Sequence, residues 1–194
     1  MSHDLLVDAR LYAFLTRCDE EVAEGVQAQG CPWCEPGVLH RASYPRKPRG
    51  GPEGLGPEYE SRLSFCCSRE GCRRRTTPPS LRFLGRKVYL AAVIVLVEVM
   101  RHGTTPARVR RLAALIGASE RTLVRWRVWW REVFATSPWW KSVAGRLAPP
   151  PPALERLPLT LLERFAGDAF ERLIALLRFI SPITTTSAGS VLGR

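Results

Sequence analysis

No apolar run in this 194-residue chain approaches the roughly 20 residues that a membrane-spanning helix needs. The longest, residues 88–97, ends at Glu98, which excludes a helical span there and predicts a buried helix instead. Residues 1–10 lack the basic start and apolar core of a secretory signal and carry Asp4 and Asp8, so the expected location is the cytoplasm. Lysine is scarce: 29 residues are Lys or Arg, and of these only Lys47, Lys87 and Lys141 are lysines. An arginine-dominated charge suits bidentate contacts to phosphate and guanine, although a GC-rich genome gives the same bias. No internal repeat is visible.

What is present begins with charge. An apolar fraction of 45% places the chain among folded proteins, and its formal charge is +11. That charge is uneven, because residues 1–40 are net acidic, residues 41–131 hold most of the arginines, and the remainder is near balance. The middle of the chain is therefore the part expected to face a polyanion.

Paired cysteines stand at the edge of that region and within it, Cys31-Pro32-Trp33-Cys34 just before it and Cys67-Ser68-Arg69-Glu70-Gly71-Cys72 inside it. In a reducing compartment such pairs favour a metal over disulfides, and two turns can supply the four thiolate corners of a zinc tetrahedron. Cys31, Cys34, Cys67 and Cys72 are the expected ligands. Cys66 competes with Cys67, which is preferred because Cys66 then alternates with Phe65 along a strand. A redox reading needs a strand leading into a helix behind the first pair, but proline, glycine and arginine follow instead. No acid is placed by spacing near the cysteines, so the zinc is expected to be structural rather than catalytic. His40 reads as a surface or phosphate-contacting residue and Cys18 as a buried small one. Strand-like runs at residues 38–44, 62–66 and 81–84, with a flexible loop at 45–57, complete the pattern of a zinc ribbon.

Residues 86–134 read as helical. A first helix at 86–101 ends at Gly103, and Thr105 caps a second with Pro106 in its first turn. The second stops at Gly117, after which Ser119 caps a third that runs to Phe134. In a helix-turn-helix the third helix packs a few apolar residues inward, here Leu123, Trp126 and Trp130. Arg121, Thr122 and Arg125 are then expected outward, where arginine can read guanine in the major groove. Ser119 would bind a phosphate at the helix start. Arg108, Arg110 and Arg111 on the second helix would cross the DNA backbone.

A CPxC turn, a later cysteine turn followed by Arg73-Arg74-Arg75-Thr76-Thr77, and then Ser119-Glu120-Arg121-Thr122-Leu123-Val124-Arg125-Trp126 stand in one order. This arrangement resembles the N-terminal DNA-binding region of bacterial insertion-sequence transposases over residues 30–135. The resemblance implies metal binding by the four cysteines and DNA contacts from Arg121, Thr122 and Arg125, with Arg73, Arg74 and Arg75 beside them. The departures are four residues between Cys67 and Cys72, the doubled cysteine, and the long proline-rich loop. A further departure is that about sixty residues follow Phe134, too few for a ribonuclease H-type nuclease core, so no catalysis is expected.

The expected fold class is α+β, mainly α: a zinc ribbon between an N-terminal helical segment and a homeodomain-like helix-turn-helix bundle, with a C-terminal helix pair. The expected segments are 1–29, 30–86, 87–147, 153–181 and a disordered tail at 182–194, with a polyproline spacer at 148–152. The expected function is zinc-dependent binding of duplex DNA by a transposon accessory factor, regulator or remnant. A transposase, or a second copy held through the C-terminal helices, is the expected protein partner, with no membrane and no small-molecule substrate. One alternative is an RNA-binding or ribosome-associated ribbon, with Trp129, Trp139 and Trp140 stacking on bases. Another is a nuclease subunit completed by a partner, using Glu163 or Asp168.

Overall fold

The computed structural model describes residues 2–34, 37–84, 89–101, 105–145, 147 and 154–185. These residues form an α+β structure that is mainly helical, with two small antiparallel sheets. The chain opens with α1 (Ser2–Val7) and α2 (Ala9–Ala28), and Asp8 caps α2 by accepting from the Arg10 N–H at 2.9 Å. The buried side of α2 carries Leu11, Tyr12, Leu15, Cys18, Asp19 and Ala23, the helical spacing that the sequence shows.

A three-stranded sheet follows, built from β1 (Leu39–Arg41), β4 (Phe65–Cys67) and β5 (Arg75–Thr76) in the order β1-β4-β5. A separate pair joins β2 (Tyr44–Pro45) to β3 (Ser61–Arg62). Among the described residues, the run at 81–84, expected as a strand, makes a single bridge, from Phe83 to Leu90. Leu81, Arg82, Phe83 and Leu84 are all at most 2% exposed, so this stretch passes through the core and has no solvent face to alternate with. The loop expected to be flexible is tied down midway. The Leu90 N–H donates to the Arg49 carbonyl at 3.2 Å, and Gly50, at φ +85°, lies so close to α3 (Ala91–Arg101) that a Cβ there would stand 2.9 Å from Val93 Cγ1.

The run of Val, Ile and Leu in α3 has weak helix propensity, yet it is helical because every residue from Ala91 to Val97 is buried. Tertiary packing on all sides overrides propensity in such a central helix. Around it stand α4 (Pro106–Leu115), α5 (Glu120–Val128) and α8 (Ala169–Ile180). The expected third helix to Phe134 is present, but its last part, Trp129–Phe134, widens into a π-turn. At Ser137-Pro138-Trp139-Trp140, which reads as a break, the preceding helix does end, and Ser137 then caps a new one, α6 (Pro138–Ala144), accepting from the Trp140 N–H at 3.1 Å.

The C-terminal pair, α7 (Leu159–Leu162) and α8, belongs to the same core as α2 and α3. Leu173, Leu177 and Ile180 are at most 1% exposed, Phe170 meets Phe14 edge-on at 5.4 Å, and Thr184 Oγ1 accepts from the Ser80 N–H at 2.9 Å. One apolar cluster thus runs from Leu6 to Ile183, while a second, of Ala23, Cys31, Leu39, Leu63, Phe65 and Cys67, lies under the cysteines. The expected disordered tail at 182–194 starts too early, because Ser181–Thr184 form a 3-10 turn whose Ile183 and Thr184 are buried against the core. The polyproline spacer expected at 148–152 and residues 186–194 lie outside the described residues.

Asp19 joins these parts. Its carboxylate accepts from Arg82 Nε at 2.8 Å, Ser80 Oγ at 2.6 Å and the Leu81 N–H at 2.6 Å. Arg82 also donates to the carbonyls of Glu58 at 3.0 Å and Ser61 at 3.2 Å, and lies 5.2 Å from the Tyr59 ring centroid. Both charged side chains are at most 1% exposed. Asp19→Ala leaves the Arg82 charge buried, and chemical denaturation is expected to show a loss of about 3–5 kcal/mol of stability.

Candidate metal centre and basic helical face

The sulfurs of Cys31, Cys34, Cys67 and Cys72 all lie within 4.8 Å of one another. The Cys31–Cys72 pair is 3.8 Å apart and the Cys34–Cys67 pair 3.5 Å. A tetrahedral metal with sulfur bonds of about 2.3 Å requires sulfur separations of about 3.8 Å, so the cluster matches a four-thiolate metal site. Cys67, rather than Cys66, joins it. Antiparallel pairing sets Cys66 opposite His40, and the Cys66 thiol is directed at the Arg73 carbonyl, 3.4 Å away.

Local backbone builds each turn. In the first, the Cys31 N–H donates to the Gly37 carbonyl at 2.9 Å and the Gly37 N–H to the Cys34 carbonyl at 3.0 Å. A Cβ on Gly37 would stand 2.6 Å from Cys67 Sγ and 2.8 Å from Cys34 Sγ, so only glycine lets the turn close over the sulfurs. In the second turn the Arg69 N–H donates to Cys67 Sγ at 3.4 Å, and Arg73 takes a left-handed φ of 45° as the chain leaves the turn. Neither Gly37 nor the Arg69 amide was singled out from the sequence. A glycine three positions after Cys34 was the available signal for the first.

Burial disfavours ionisation of the Cys31 thiol, but backbone N–H groups of Trp33 and Cys34 outweigh it and lower its pKa to about 7. Cys34 goes the other way. Burial, reinforced by hydrogen bonds to the neighbouring cysteines and by the Cys31 charge, raises it to about 12, and burial also raises Cys67. Thiolates this close repel one another, and a bound cation removes that penalty.

The second feature is α5. Its cap, Ser119 Oγ, accepts from the Thr122 N–H at 3.2 Å, and the turn before it uses Gly117 at φ +60°. The inner face holds Leu123 at 0% and Trp126 at 4% exposure, with Trp126 edge-on to Tyr89 at 5.0 Å. Tyr89 Oη donates to the Gly117 carbonyl at 3.0 Å, which fixes the turn between α4 and α5. Glu98, buried on α3, binds Arg101 at 2.5 Å and Arg127 at 3.8 Å, and Arg101 donates to the Leu123 carbonyl at 2.5 Å. Burial pushes the Glu98 carboxyl above the usual carboxylate range, against the pull of Arg101 and Arg127. Glu98 holds α5 on α3, a role that its place at the end of an apolar run does not reveal.

Arg121 and Arg125 are exposed, as are Ser119 and, on α4, Arg108, Arg110 and Arg111. Thr122 is not on the outward face. At 7% exposure it bonds Ser119 Oγ at 3.0 Å and accepts from Arg125 Nη2 at 3.1 Å, so it orients Arg125 from behind. Arg73, Arg74 and Arg75 are exposed too, yet two of them are engaged: Arg74 lies 5.0 Å from the Trp33 ring centroid and Arg75 donates to the Ala42 carbonyl at 2.6 Å. Comparison with protein-family models, curated proteins and solved structures returns no match.

Two measurements check the cluster. Cys67→Ser is expected to weaken the thiolate-to-metal charge-transfer band of the Co2+-loaded protein, by about a quarter or more as one of four thiolates is lost, whereas Cys66→Ser is expected to leave it unchanged. Metal uptake by the apo-protein near neutral pH should release protons from at least Cys34 and Cys67, read with an indicator dye in weak buffer. Apparent metal affinity should accordingly fall as pH is lowered.

Proposed function

We propose that this chain is a zinc-containing protein that binds double-stranded DNA. In this reading the cysteine cluster is a structural zinc ribbon and α3, α4 and α5 form a homeodomain-like helix-turn-helix. The observation that carries it is α5 itself: a Ser119-capped helix, locked to α3 and α4 through one face, that offers exposed Arg121 and Arg125 from its first two turns. That is the geometry in which arginine reads guanine O6 and N7. Exposed Arg108, Arg110 and Arg111 on α4 would neutralise phosphates and set affinity and salt dependence.

Zinc suits the cluster because four thiolates close the coordination shell, as structural sites do, leaving no open position for a substrate. The resemblance to insertion-sequence transposases over residues 30–135 favours reading it as a mobile-element accessory factor, regulator or remnant without catalysis of its own. The tryptophans on which an RNA-binding reading relied are otherwise engaged. Trp129 and Trp140 are at most 8% exposed, and Trp139 packs edge-on to Phe179 at 5.2 Å. Asp168, one acid of the partner-completed nuclease reading, is the cap of α8, and Glu163 lies 3.8 Å from Arg156. The apolar side of α8 is used within the chain, which leaves other surfaces to hold a partner. No described helix is long and apolar enough to cross a membrane.

Fluorescence anisotropy with the zinc-loaded protein and duplex DNA tests the assignment of roles. Arg125→Ala should cost about 1–3 kcal/mol and relax preference at one base position, while Arg110→Ala should weaken all sequences alike and flatten the salt slope by about one unit. Equal, sequence-blind effects from both would remove α5 from base reading.

A further inference from the structure

On the outward face of α5, Arg121, Val124, Arg125 and Val128 stand at i, i+3, i+4 and i+7, the spacing of one helical stripe. The two valines are unusual there. Val124 is 54% and Val128 41% exposed, although the other apolar residues of α5, Leu123 and Trp126, are at 0% and 4%. A single exposed valine needs no explanation, but two β-branched residues one turn apart, interleaved with exposed arginines, form a mixed apolar and cationic strip.

Chemistry narrows the occupant. A purely apolar partner would leave Arg121 and Arg125 uncompensated, and a purely phosphate-facing strip would have no use for valine at its centre. The major groove of duplex DNA presents both kinds of group, guanine O6 and N7 for arginine and the thymine 5-methyl for an apolar side chain. The rise of about 6 Å between Val124 and Val128 spans roughly two base-pair steps. Arg125 is already held by Thr122 Oγ1 at 3.1 Å, which fixes its direction beside Val124.

Resting on the duplex-DNA reading above, we infer that Val124, with Val128 one turn later, is a specificity residue that contacts thymine 5-methyl groups next to the guanines read by Arg121 and Arg125. The bound site then contains thymine directly beside a guanine at the positions under the first two turns of α5.

The test uses the full zinc-loaded chain and the duplex recovered by selection from random sequences. Each thymine is replaced in turn by deoxyuridine, which removes only the 5-methyl group and keeps every hydrogen bond of the base pair. At one or two positions beside an arginine-dependent guanine the wild-type protein should bind about fourfold more weakly, the factor expected for one buried methyl. Val124→Ala, an exposed substitution toward a better helix former that leaves the core untouched, should lose a similar factor on the thymine duplex and become indifferent to uracil at that position. Arginine-dependent binding that ignores every thymine-to-uracil change overturns this inference and leaves the duplex-DNA reading standing. A concentration-dependent dimer that Val124→Ala dissociates, with no uracil effect, also overturns it, in favour of a second copy on the strip. Absence of any selected duplex overturns both readings.

Discussion

Asp19 and Arg82 form their ion pair where three parts of the chain converge: helix α2, the exit of the cysteine-bearing segment and the short 3-10 turn at Pro57–Glu60. A buried pair is costly to desolvate, and it persists only when the remaining polar valences are filled. Here they are filled. Ser80 and the Leu81 amide complete the carboxylate, and the carbonyls of Glu58 and Ser61 complete the guanidinium. Because those groups come from two stretches, 58–61 and 80–81, both distant in sequence from Asp19, the pair fixes how the sheet region leaves toward α3. The stretch just before α3 in turn carries Tyr89, which holds the α4–α5 turn. The position of Arg121 and Arg125 is thus set by a chain of buried polar contacts that begins on the N-terminal helix.

The cysteine cluster solves a different problem. The sheet of β1, β4 and β5 consists of strands of two or three residues, and its own apolar cluster includes the sulfur-bearing residues Cys31 and Cys67 themselves. So little apolar surface cannot repay the entropy of ordering two turns and a long connection. A metal held by the four thiolates would supply that free energy directly, in a way that depends on pH through the protons it displaces. Gly37 and the Arg69 amide are the local devices that make the sulfurs converge.

Much of this was legible from the residues. The four converging cysteines, the preference for Cys67 over Cys66, the caps at Thr105 and Ser119 and the presence of C-terminal helices follow from spacing and side-chain chemistry, because they are local rules. What escaped was mostly long-range. Leu81 to Leu84 alternates poorly and reads as a strand, but its burial on all sides comes from α2 and α3, which lie far away in sequence. Ser137-Pro138 does break the third helix, but it also begins α6, whose Trp140 packs on Phe134 at 5.2 Å, and that serine cap followed by proline is the same local signal as Thr105-Pro106. Thr122 was placed outward because helical spacing alone cannot say that the Ser119 and Arg125 side chains would fold back onto it. Asp19 carried no signal, since its arginine, Arg82, arrives from far along the chain, and Glu98, though paired with Arg101 three residues on, gave no sign of its reach to Arg127 on α5.

The central claim is that α5 reads duplex DNA. Its most direct test is selection of the zinc-loaded protein against a pool of random duplexes across a salt series, with sequencing of the retained fraction. The account predicts an enriched motif with a steep salt dependence, lost in Arg121→Ala and Arg125→Ala. Retention that is salt-sensitive but carries no motif, and is unchanged in those two variants, would contradict it and reduce α3, α4 and α5 to a packing unit with a solvated arginine face.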